Sequence, residues 1–134
     1  MVIKACIFDI GGVCVLSPLH AIRAYETKNS IPSGYISYAI IASSPSGSWD
    51  KLERGEIPMD SAFYTRFTSD LTDPKTWISF LRSRGLLPPE AATRPPPRID
   101  GEALFWQMMR ESRVQNPPVI AAFSRSWPRR GLRE

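Results

Sequence analysis

The residue best placed to do chemistry is Asp9. It follows the apolar run Val2-Ile3-Lys4-Ala5-Cys6-Ile7-Phe8 and precedes Ile10-Gly11-Gly12-Val13. A carboxylate just past the end of a hydrophobic strand, with glycines leaving its surroundings open, is the arrangement in which an α/β sheet presents a nucleophile or a metal ligand. Other reactive residue types are sparse. His20 is the sole histidine and reads as a structural residue beside Leu19. Cys6 and Cys14 flank Asp9 in apolar segments and read as reduced core thiols. Gly11-Gly12 is too short for a dinucleotide fingerprint or a phosphate loop, and no nucleophile-elbow sequence supports a Ser-His-Asp triad.

Presenting Asp9 takes a first strand and something to pack on it. Ser17-Pro18 pairs an N-cap with a proline at the first helical position and starts a helix carrying Leu19, Ile22 and Tyr25. Pro32-Ser33-Gly34 opens a second helix carrying Tyr35, Ile36, Tyr38, Ala39, Ile40 and Ile41, expected to be buried on most sides. Turn formers over 43–48 lead to a short helix, Trp49 to Arg54, stopped by Gly55. Pro58-Met59-Asp60 opens another, with Phe63, Phe67 and Leu71 as its stripe. Residues 17–71 are therefore expected to form a helical subdomain around Ile22, Ile36, Ile40, Phe63 and Phe67.

Residues 72–98 carry Leu87-Pro88-Pro89 and Arg94-Pro95-Pro96-Pro97 and read as a Pro-rich insertion or linker, with a turn or two of helix at 77–81. Asp100 caps a helix through Leu104-Phe105-Trp106 and Met108-Met109. Val119 to Ser124 admits two readings, a strand ending in Ser124 or a helix opened by Asn116-Pro117-Pro118, with the helix favoured.

With 134 residues, 43% hydrophobic and 22% charged, the chain has the balance of one soluble globular domain. No apolar run approaches the roughly 20 residues of a membrane span, and Asp9 and Gly11 interrupt any leader-like start, so a cytoplasmic protein is expected. The net charge of +4 lies wholly beyond residue 112, where Arg113, Arg125, Arg129, Arg130 and Arg133 face a single acid, Glu134. This thin run reads as a solvated terminus rather than a nucleic-acid footprint.

Three features together resemble the N-terminal part of the haloacid dehalogenase-like (HAD) hydrolases, nearest to the branch containing the phosphatase domain of soluble epoxide hydrolase. They are Phe8 to Val13, the helical insertion with Leu52-Glu53-Arg54-Gly55-Glu56-Ile57, and Ile99-Asp100-Gly101-Glu102-Ala103-Leu104-Phe105-Trp106. The resemblance implies an α/β fold: an incomplete Rossmannoid core with an inserted all-helical cap. Residues 1–16 would be the first strand and nucleophile motif, 17–71 the cap, 72–98 a Pro-rich cap insertion or linker, and 99–134 a return helix and basic tail.

It also implies a phosphatase-type hydrolase acting on a small phosphorylated molecule. Asp9 would be the nucleophile, Ser124 a phosphate ligand, and Asp9 carboxylate with the Gly11 carbonyl the protein ligands of Mg²⁺. The chain departs from that pattern. Gly11 stands where the family has its general acid, a group worth roughly 10²–10⁴-fold in rate. After residue 112 there is no Lys and no acid except Glu134. The expected chemistry is therefore impaired, Mg²⁺ binding weak, and the chain truncated before its sheet is finished. One strand cannot bury both its faces, so stability would come from the helices, a partner chain or a dimer. The alternative is a non-catalytic helical interaction module or inactive fragment. That reading predicts a solvent-exposed Asp9 on which no Lys or acid converges. Neither reading involves nucleic acid or a membrane.

Overall fold

The computed structural model describes residues 9–86 and 94–126. Among these the chain forms α1 (Pro18–Lys28), α2 (Tyr35–Ser43), α3 (Ser48–Glu53), α4 (Ser61–Leu71), α5 (Pro74–Ser83), α6 (Gly101–Glu111) and α7 (Pro117–Ser126). Short polar side chains set most of the starts. Ser17 Oγ accepts the Leu19 N–H at 3.2 Å, and Asp60, Asp73 and Asp100 accept from the N–H three residues on at 2.8–2.9 Å. Each such cap is worth about 1 kcal/mol, which matters for helices of ten or eleven residues that would be marginal alone.

The core lies where α1, α2, α4, α5 and α6 meet. α6 packs across α1 and α4, and α2 sits against α4 and α5. Ile22, Ile36, Phe63 and Phe67 are buried as expected, and Ile40 is half-buried against them. Phe63 stacks on Phe67 with ring centres 5.6 Å apart and meets Phe105 edge-on at 5.4 Å. Such ring pairs add about 0.5–1.5 kcal/mol beyond the area they bury. The α4–α6 approach depends on Gly101: a Cβ there would lie 2.6 Å from Thr68 Oγ1 and 2.9 Å from Thr68 N. The Gly101 N–H instead donates to Thr68 Oγ1 at 3.0 Å.

Three expectations need correction. The α/β core is not what the described residues form: they are helical, with no strand and only the isolated bridges Gly11–Val15 and Val15–Gln115. A parallel sheet needs several strands with both faces covered, whereas the apolar residues beyond 16 recur at helical spacing and bury against one another. The strand expected over 3–8 lies outside the described residues. Second, 74–83 is a full helix rather than linker, and it buries Trp77, Phe80 and Leu81. Third, α2 is not buried on most sides. Tyr35, Ile36 and Ala39 face the core, but Ile41 is 73% exposed. No helix among the described residues is long and apolar enough to cross a membrane.

Candidate functional site

Asp9 stands in an exposed turn. Its Oδ1 accepts the N–H of its own neighbour Ile10 at 2.8 Å. The Ile10 carbonyl in turn gathers the N–H groups of Val13, Cys14 and Val15 at 3.1–3.4 Å, with Gly12 in the left-handed region at φ 78° closing the turn. The segment is tied down by Leu16 N–H to Val114 O at 2.9 Å and Asn116 N–H to Cys14 O at 2.8 Å. Gly11 is exposed and a Cβ there would meet nothing within 4 Å, so packing does not demand glycine at that position. Ser124 falls in α7, the helix that the Asn116-Pro117-Pro118 start implies, and its side chain lies outside the described residues. Cys14 is a free, half-buried thiol, and Cys6 lies outside the described residues.

The structure thus brings Asp9 and Gly11 into one turn, and among the described residues no Lys or further acid bonds to them. Among the described residues no three or more His, Cys, Asp or Glu side chains gather where they could hold a metal ion. Mg²⁺ wants several oxygens in octahedral array, and among the described residues Asp9 is an exposed carboxylate whose Oδ1 already accepts a backbone N–H.

Several other carboxylates among the described residues are engaged within the fold. Glu26 on α1 is 1% exposed, with Oε2 accepting the Gly34 N–H at 2.8 Å and Oε1 the Ile36 N–H at 2.9 Å. It caps α2 from outside that helix, because Gly34 has no side chain to do so, and its charge sits at the positive end of the helix. Asp70 holds the Ser48 N–H at 2.8 Å and the Ser48 hydroxyl at 2.6 Å, fixing the start of α3 to α4. The Thr76 N–H on Asp73, joined by the Thr76 hydroxyl, holds the Asp73 carboxyl below the usual carboxylate range. Burial, with the nearby Asp73 charge, pushes the Tyr35 phenol up to about 12. That phenol donates to Leu71 O at 2.8 Å.

The arginines are treated differently. Arg54 pairs with Glu56, whereas Arg23 and Arg84 join no ion pair among the described residues. Both are exposed, and the Arg84 guanidinium lies 5.5 Å from the centre of the Phe80 ring. They line one half of a surface groove between α1, α2 and the end of α5, a cleft of about 630 Å³ that also takes in Ser33, Ser37 and Tyr38.

The other half of the groove is apolar. It is a trough of about 270 Å³ floored by Ile22 and Met108 and walled by Leu19, Ile40, Ile41 and Trp49, with the exposed Glu53 as the charged residue of its lining. Leu19, Ser37 and Ile41 line both halves, so the two are continuous. Leu19 is 50% and Ile41 73% exposed. Helical spacing sets the layout: Leu19 and Arg23 are four apart on α1, as are Ser37 and Ile41 on α2. This is the constellation that reasoning from Asp9 missed. Its sequence signal was the second helix, too apolar all round for a helix with one solvent face.

No protein-family model matches the chain, and no solved structure matches it. A stretch of 54 residues is 44% identical to acyl-CoA dehydrogenase family member 10 of Mus musculus. The matching stretch covers 40% of this chain and 5% of that protein, so the chain spans a small fraction of the relative's length. The resemblance to HAD hydrolases is accordingly not upheld. The described residues are helical and the similarity found is a partial one to a protein of another name.

Proposed function

We propose that this chain is a non-catalytic helical interaction module, and that the groove between α1 and α2 receives an apolar segment of another polypeptide. The observation carrying this is the pair Leu19 and Ile41, half or more exposed above an apolar floor, while the other large apolar side chains of α1 and α2 are buried or half-buried. Contiguous exposed apolar surface of this kind marks interaction sites. The exposed Asp9, engaged among the described residues only by the Ile10 N–H, fits this reading better than catalysis.

Selection of peptides from a displayed random library, run in parallel on the wild-type chain and on Ile41→Asp, tests the reading. Burying a side chain of this size contributes about 1.5–3 kcal/mol, so selected peptides should bind the wild type roughly 10- to 100-fold more tightly than the variant. Recovery of no peptide that distinguishes the two proteins would contradict it.

A further inference from the structure

We infer that Arg94-Pro95-Pro96-Pro97-Arg98 is a second interaction surface, a preformed polyproline II ligand for a folded domain with an aromatic-lined groove and carboxylates on its rim. The sequence dictates the backbone here. The rings of Pro95, Pro96 and Pro97 fix φ at about −65°, and Arg94, Pro95 and Pro96 each precede a proline, which drives them to extended backbone. Those two restrictions together give the polyproline II helix. Residues 94–100 accordingly lie outside every helix. The three prolines have no N–H to donate, and among the described residues no backbone N–H bonds to the Pro95 or Pro96 carbonyl.

The fold holds this segment at both ends. The buried Trp77 donates its indole N–H to Arg94 O at 3.1 Å; at the other end Ile99 is 6% exposed and the Asp100 N–H donates to the Tyr25 hydroxyl at 3.0 Å. A three-residue repeat then sorts the faces. Ile99 and Pro96, three apart, are buried and half-buried, whereas Pro95 and Arg98, also three apart, are both exposed, as is Arg94. A partner therefore meets a proline ring and, about 9 Å further along, a guanidinium. Domains that read such segments dock them in aromatic-lined grooves, and a carboxylate receives an arginine in bidentate geometry. From Ala91 to Ile99 the chain has no acid that would oppose one. A stiff spacer has a use for the prolines but none for arginines at both their ends. Holding the segment in its bound conformation also removes the ordering cost that a free extended peptide carries. None of residues 94–98 lines the α1–α2 groove, so this surface is separate from it.

The test presents the full chain to an array of purified SH3 and WW domains and measures each binder by fluorescence anisotropy against wild type, Pro95→Ala, Arg98→Glu and Ile41→Asp. At least one domain should bind the wild type with micromolar affinity. Pro95→Ala and Arg98→Glu should each weaken that binding tenfold or more, and Ile41→Asp should leave it unchanged. Both segment variants should melt with the wild type, since both side chains are exposed. An array with no binder would overturn the inference, as would binding that both segment variants retain. Binding lost in Arg98→Glu and kept in Pro95→Ala would mark a plain charge contact and overturn it too. Binding lost in Ile41→Asp alone would put the domain in the α1–α2 groove, against this inference and in favour of the groove reading.

Discussion

Glu26 and Asp9 are the same functional group in opposite settings. Glu26 is withdrawn from solvent and bonded through both oxygens to N–H groups of another element, eight and ten residues along the chain. Asp9 lies in the open and bonds to the next residue. The glycine-flanked acid that draws the eye in sequence is thus exposed and bonded to its own neighbour, and the unremarked acid in the last turn of α1 joins two helices. What separates them is desolvation together with the number of donors presented. Both depend on residues distant in sequence.

The largest consequence of that contrast should appear at Glu26. Glu26→Ala leaves two backbone N–H groups without their partner, each costing about 1–3 kcal/mol when buried. The chain should lose roughly 2–4 kcal/mol and about 10 °C in melting temperature, read by thermal denaturation. Glu26→Gln, which keeps one acceptor oxygen, should lose about half as much, and a loss equal to that of Ala would mean the charge alone matters.

Asp73 gives a smaller effect with a definite pH signature. Its folded pKa is lowered by the Thr76 N–H and hydroxyl. Its contribution is therefore fully present above the unfolded carboxylate value of about 3.9 and is lost as pH falls through the folded value below that. Urea midpoints of wild type and Asp73→Asn should differ near neutrality and converge at the acid end. A difference that grew on acidification would reverse the assignment. The smallest effect belongs to Asp9→Asn, which should change stability by no more than about 0.5 kcal/mol.

Much of the helical scaffold could be read from local signals. Ser17-Pro18 marked α1, Asp100 marked α6, and Phe63 and Phe67 identified themselves as core by their spacing. Asp73-Pro74 is the same kind of start as Ser17-Pro18, yet α5 is hidden in sequence by the prolines downstream of it, which suggest an extended linker. Trp77 then anchors part of that Pro-rich segment, its indole N–H donating to Arg94 O at 3.1 Å. The expected sheet rested on an apolar run of a few residues, and a short run does not distinguish a strand from other buried structure. The groove was not legible at all from one segment. Leu19 and Arg23 come from α1, Ile41 from α2, Trp49 from α3 and Arg84 from the end of α5, and only tertiary packing sets them around one hollow.

The central proposal is that function resides in the α1–α2 groove rather than at Asp9. The most direct measurement is the affinity of one library-selected peptide for three proteins: wild type, Ile41→Asp and Asp9→Asn. A loss of tenfold or more on Ile41→Asp, with Asp9→Asn indistinguishable from wild type, is the predicted result. Binding that survives Ile41→Asp and falls with Asp9→Asn would contradict the account.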